Sequence, residues 1–141
     1  MKNFLLDTNA WSEAAKVAPD QGFMQWFTMT DEEHMFTSCL VVGEILKGIE
    51  LLEDGERKRG YEVWLDKIRI SFGTRIVGVD ENVTLLWGRL LAQGQKAGKT
   101  PPVVDTLIAA QCIYNDFTLV TRNRKDFEQF QALSILNPWS T

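Results

Sequence analysis

The chain has one histidine, His34, two cysteines, Cys39 and Cys112, four prolines and no surplus of positive charge. Its 15 Lys and Arg stand against 19 Asp and Glu, a formal net charge of −4. Each shortage excludes a chemistry. A single imidazole rules out a two-histidine acid–base ribonuclease centre and any zinc site of the HExxH kind. A Ser–His–Asp triad would have to use His34, which falls in the charged run Asp31-Glu32-Glu33-His34, an expected exposed turn. Two cysteines in apolar stretches are too few for a disulfide framework or a Cys-rich zinc centre, and they suit a reducing interior. The stretch Met1-Lys2-Asn3-Phe4-Leu5-Leu6 meets Asp7 before a secretory core of about 7–15 apolar residues can form. No run reaches the ~18 apolar residues of a membrane span, so a soluble, cytoplasmic protein with no membrane partner is expected. An acidic chain does not coat nucleic acid by bulk charge, so it must meet phosphate through local basic patches or a metal ion.

What is present is ordinary for a folded protein. With 141 residues, 45% of them apolar and 24% charged, the chain is expected to form a single domain over residues 1–141. Phe4-Leu5-Leu6, Met35-Phe36-Thr37, Arg75–Val79, Thr118–Thr121 and Leu133–Leu136 read as short strands. Between them lie helical patterns with their own start and stop signals. One follows Asp20 and carries Phe23, Met24, Trp26 and Phe27. The clearest follows Ser38, with Val41, Val42, Ile45, Leu46, Ile49 and Leu52 on one stripe. Tyr61, Trp64, Leu65, Ile68 and Phe72 form another, ended by Gly73. Asp80 precedes Val83, Leu86, Trp87, Leu90 and Leu91, and Pro101-Pro102 leads into an apolar helix from Val103 to Ala110. Short strands alternating with amphipathic helices predict an α/β domain with a mostly parallel central sheet flanked by helices. Such sheets place ligands beyond the carboxyl ends of their strands, where Asp7 and the Arg122–Asp126 turn fall.

Three carboxylates stand out because their neighbours are apolar. Asp7 ends a strand, Glu44 lies inside Leu40-Val41-Val42-Gly43-Glu44-Ile45-Leu46, and Asp105 interrupts Val103–Ala110. A buried carboxylate needs a compensating partner or takes a proton. On a helical wheel Glu44 falls at the edge of the apolar stripe near Gly48, a position that suits a half-buried ligand. Each acid also has a plain structural reading: Asp7 and Asp105 as helix caps, Glu44 paired with Lys47 three residues on. Taken together, three acids on separate elements are better explained by one shared cation. Ligands that are all oxygen favour Mg²⁺ or Mn²⁺. A divalent ion held by carboxylates also hydrolyses a phosphodiester without histidine.

Four segments carry a family resemblance. Leu5-Leu6-Asp7-Thr8-Asn9, Val42-Gly43-Glu44-Ile45-Leu46-Lys47-Gly48-Ile49, Pro102–Ala110 and Thr121-Arg122-Asn123-Arg124-Lys125-Asp126-Phe127 resemble, in order, the four motifs of PIN-domain ribonucleases, and of the VapC/FitB-like toxins in particular. Glu56-Arg57-Lys58-Arg59 before Trp64-Leu65, and the ending Asn137-Pro138-Trp139, extend the resemblance over essentially the whole chain. It implies a three-layer PIN fold and a Mg²⁺-dependent endoribonuclease toxin acting on RNA. It also implies a homodimer, alone or in a larger toxin–antitoxin assembly, and neutralisation by a cognate antitoxin. Asp7, Glu44 and Asp105 become the catalytic and metal-binding acids, with Glu44 holding or deprotonating the attacking water. Hydrolysis by water predicts a 5′-phosphate and a 3′-hydroxyl. Where many relatives carry a fourth acid after Thr-Arg, this chain has Asn123, whose amide oxygen can coordinate a metal but brings no charge, which puts a second, weaker metal site in question. Asp126 is the residue that can compensate, or else the cap of a short Phe127–Phe130 segment.

Arg122, Arg124 and Lys125 are expected to hold the RNA backbone, and Arg57-Lys58-Arg59 to be a solvated helix start. Trp64 and Trp87 read as core, while Trp11, just after the Asp7 turn, is the candidate for base stacking or partner contact. A dehalogenase-like phosphatase would need Asp rather than Asn at position 9, and a phosphate-accepting receiver would need a late Lys that the pattern lacks. The rival from another class is a non-catalytic binding module of the same fold that acts through antitoxin or RNA binding.

Overall fold

A computed structural model describes residues 2–140. The strands are β1 (Asn3–Leu6), β2 (Met35–Ser38), β3 (Ile76–Val77), β4 (Phe117–Val120) and β5 (Ser134–Leu136). The helices are α1 (Thr8–Ala14), α2 (Gln21–Met29), α3 (Cys39–Glu50), α4 (Glu56–Phe72), α5 (Glu81–Lys96), α6 (Val103–Asn115) and α7 (Arg124–Phe127), with 3-10 turns at Glu32–His34 and Gly73–Arg75. Helix starts follow the cap chemistry in the sequence. Asp20, Ser38 and Asp80 accept from the amides of Phe23, Leu40 and Val83 at 2.9, 3.0 and 2.9 Å. Helix α4 stops where Gly73 turns to a φ of 53° that a side chain would disfavour.

The five strands form one sheet in the order β3-β2-β1-β4-β5, parallel throughout. It is flanked by the seven helices, and β1 lies at its centre. Leu5 and Leu6 on β1 and Leu119 and Val120 on β4 have no exposed surface, as expected of a parallel sheet covered on both faces. Strand order reverses between β1 and β4, so the crevice beyond their carboxyl ends is the topological switch point where such folds bind ligands. Asp7 and Thr121 leave the sheet there.

Behind the crevice, Gln111 of α6 is fully buried and ties three elements together. Its Oε1 accepts from the Ser38 hydroxyl at 2.6 Å, and its Nε2 donates to the carbonyls of Val77 and Gly78 at 3.2 and 3.0 Å.

Several expectations are corrected. Strand β3 keeps only two residues of the Arg75–Val79 run. Helix α6 continues past Ala110 to Asn115, and its first residues, Val103 and Val104, are exposed despite their apolar side chains. Cys39 is exposed, while Cys112 is buried. The acids of the 31–34 turn are exposed, but the His34 side chain keeps only 20% of its surface and contacts Asn3 Oδ1 through Nδ1 at 2.9 Å. Trp11 is not a surface stacking residue. It is 4% exposed, packs edge-on against Phe27 and Phe72, and donates its indole N–H to Thr37 at 3.1 Å. No helix among the described residues is long and apolar enough to cross a membrane.

Candidate functional site

The site begins with a turn that the β1 sequence forces. Apolar Leu6 ends the strand, the Asp7 amide still donates to the Val120 carbonyl at 3.1 Å, and the Asp7 side chain caps α1 by accepting from the Thr8 amide at 2.8 Å. Its second oxygen accepts from the Thr121 hydroxyl at 3.0 Å. Asp7 is 7% exposed, and burial drives its pKa up. The Thr8 and Thr121 hydrogen bonds oppose that rise, and the carboxylates of Glu44 and Asp126 add to it. The net direction is upward, so desolvation outweighs both hydrogen bonds.

Thr121 braces the two turns against each other. It is fully buried, and its oxygen accepts from Asn9 Nδ2 at 3.2 Å and from the Asn123 amide at 3.1 Å. Asn9 Oδ1 in turn accepts from the Arg122 amide at 3.1 Å. The sequence alone assigns Thr121 no role. Its only signal is a hydroxyl closing an apolar strand.

Glu44 projects from α3, and its Oε1 accepts from the Thr8 hydroxyl at 3.3 Å. It is exposed rather than half-buried, and the pairing with Lys47 does not form. Asp105 lies half-buried in the first turn of α6 but does not cap it: the cap position is Pro102, without a side-chain bond. Burial raises the Asp105 pKa, followed by repulsion from Asp7 and Asp126. Asp126 sits exposed in α7, whose cap position is held by Asn123 without a side-chain bond, so Asp126 is no cap. Arg122, Asn123, Arg124 and Lys125 are exposed and line a shallow pocket with Asp126.

Four acids thus share the crevice, and none of them forms an ion pair among the described residues. Mutually repelling carboxylates, Asp7 buried and Asp105 half-buried, without a basic partner and offering oxygen donors only, fit a hard divalent cation. A tighter group exists elsewhere: Asp31, Glu33 and His34 place possible ligand atoms all within 4.8 Å of one another. It lies before β2, whose Met35 pairs with Phe4, and so at the amino end of the sheet.

The sequence profile described as PIN domain matches residues 4–133. The chain is 32% identical over 136 residues to the plasmid stability protein StbB of Pseudomonas syringae pv. tomato, covering 96% of this chain and 97% of that protein. It is 29% identical over 136 residues to the VapC ribonuclease Y4jK of Sinorhizobium fredii, with 96% of each covered. Toxin FitB of Neisseria gonorrhoeae is 30% identical over 137 residues, covering 96% of this chain and 97% of that one. The crystal structure of FitAcB from the same species superposes with a TM-score of 0.90 at 28% identity, over 98% of this chain and 99% of that chain.

Proposed function

The chain belongs to the PIN domain family, and on that premise we propose that it is a divalent-metal-dependent endoribonuclease toxin, built as one domain and held in check by a protein antitoxin. The observation that carries this reading is the crevice at the β1/β4 switch point, where Asp7, Glu44, Asp105 and Asp126 gather without a basic partner. Relatives named as a VapC ribonuclease and as toxin FitB support the activity and the toxin role. The FitAcB structure supports a protein partner. A homodimer, the cytoplasm as its location and RNA as its substrate belong to the same reading.

Asp7 and Asp105 would hold the ion, with Glu44 beside them and Asp126 in place of a charge at Asn123. Mg²⁺ or Mn²⁺ supplies charge neutralisation at the phosphate and acidifies water. The protein's part is positional. Thr121 and Thr8 fix the Asp7 carboxylate, and the exposed Glu44 is free to take a proton from water approaching the phosphorus. Arg122, Arg124 and Lys125 stand beside the crevice to meet backbone phosphates.

The test is cleavage of purified, antitoxin-free protein on single-stranded and structured RNA in Mg²⁺, Mn²⁺ or EDTA. Asp7→Asn, Glu44→Gln and Asp105→Asn are run in parallel. Cleavage that needs metal, leaves 5′-phosphate ends and falls about 10²–10⁴-fold in each variant is expected. Equal cleavage by all four proteins, or none in any metal, overturns the reading.

A further inference from the structure

Beside the acids, α1, α3 and α4 enclose a pocket of about 290 Å³ whose walls include Thr8, Glu44, Gly48, Arg57, Tyr61 and Trp64. We propose that it receives one unpaired nucleobase of the RNA strand, adjacent to the phosphate held at the acids, and that it sets a base preference next to the cut. The inference rests on the ribonuclease reading above.

Position comes first. Thr8 and Glu44 are hydrogen-bonded to each other and line both the pocket and the acid group, so a ligand seated there abuts the proposed reaction centre. Shape comes second. Tyr61 and Trp64 are half-buried, with ring centroids 6.0 Å apart and planes at 81°. Rings at that angle form a corner, and a planar base laid on one meets the edge of the other.

Charge comes third. Arg57 stands exposed at the rim, its guanidinium 5.8 Å from the Tyr61 ring centroid, in no ion pair among the described residues. Its neighbour Lys58, by contrast, is paired with Asp54 at 3.2 Å. A cation in the first turn of a helix opposes the helix dipole, so helix stability does not account for Arg57. A phosphate flanking the seated base does. Gly48 lines the pocket from the α3 side, where a Cβ would meet nothing within 4 Å, so this wall is open to a ligand.

Gly48 also supplies the plug. Gly48→Leu fills the pocket without altering either ring, and replacing glycine within a helix favours folding. It is compared with wild type and Tyr61→Leu on single-stranded RNA randomised around the cut, with the new ends sequenced. An oligonucleotide carrying the favoured base follows, beside the same oligonucleotide made abasic at that position.

Wild type is expected to show a preference at one position. Both variants should flatten it and raise KM roughly tenfold, with kcat changed far less. The abasic loss in wild type should not add to the Tyr61→Leu loss. An unchanged preference in both variants, equal cutting of the abasic strand, or additive losses overturn the proposal while leaving the nuclease reading intact. Loss of antitoxin binding with base preference retained overturns it too, by giving the pocket to the protein partner. Absence of any cleavage sinks the nuclease reading instead. The pocket is then judged by quenching of tryptophan fluorescence by oligo-A, -C, -G and -U: one base favoured about tenfold, and not in Gly48→Leu, is expected. Equal affinities overturn the proposal.

Discussion

The fully buried Thr121 hydroxyl makes three hydrogen bonds: it donates to Asp7 and accepts from Asn9 and from the Asn123 amide. Valine has the same shape and none of those bonds. Thr121→Val therefore leaves an already desolvated carboxylate with one partner fewer, at a cost of about 1–3 kcal/mol measured by urea unfolding. Serine at the same position should recover most of it. Because the lost bond is one of those holding the Asp7 pKa down, titration of Asp7 by NMR should move further upward in Thr121→Val. Burial sets the direction at this residue, and the hydroxyl limits its extent.

Among elements, the least obvious joint is the clasp between α1 and the carboxyl-terminal segment. Glu13 of α1 is 4% exposed and accepts from the Trp139 indole at 2.8 Å and from the Asp20 amide at 3.0 Å, with Lys16 at 3.1 Å. Asp20 accepts in turn from the Ser140 amide at 2.8 Å, which closes the loop between the α2 cap and the chain end. The Trp139 bond, then the Asp20 bond, hold the Glu13 carboxyl below its ordinary range. A lowered folded-state pKa contributes stability above the unfolded value and loses it as pH falls through the folded one. Glu13→Gln should thus be less stable than wild type at pH 7, with the gap closing toward pH 3 in thermal melts. A gap that is constant across that range would show that the charge of Glu13 does not matter.

The clasp also marks where sequence reading stops. Asp20, Ser38 and Asp80 were legible as caps because a cap and its amide lie within three residues. The apolar runs showed β1 and β4 because a strand buried on both faces has no polar alternation to blur. Glu13 carries no local mark, since its indole partner is 126 positions away. Trp11 misled for a related reason. Closeness to Asp7 in sequence suggested the surface, yet on α1 it turns from the crevice toward Phe72 of α4. The wheel puts Glu44 at the edge of its stripe, but the packing of α1 and α4 decides whether that edge is covered, and Glu44 is exposed.

For the whole molecule, with a net charge of −4, the acids that cost most are the two that burial disfavours. Burial raises both Asp7 and Asp105, so without a cation each favours the fold when protonated. The sign follows: their contribution is fully present below the unfolded carboxylate range and is lost as pH rises through the folded values. A divalent ion binding the deprotonated folded site reverses that loss. At a free Mg²⁺ concentration a hundredfold above Kd the gain is about 2.7 kcal/mol, roughly 8 °C in Tm for a chain of this size. Asp7→Asn separates the two effects, because it removes a disfavoured buried charge together with a ligand. In EDTA at pH 7 the variant should melt at or above wild type, and on adding Mg²⁺ or Mn²⁺ only wild type should rise. If the variant rises equally, the ion binds elsewhere, and Asp31, Glu33 and His34 at the amino end of the sheet become the place to look. If neither rises and Asp7→Asn melts well below wild type in EDTA, Asp7 is a structural cap and the acids at the switch point are not a metal centre.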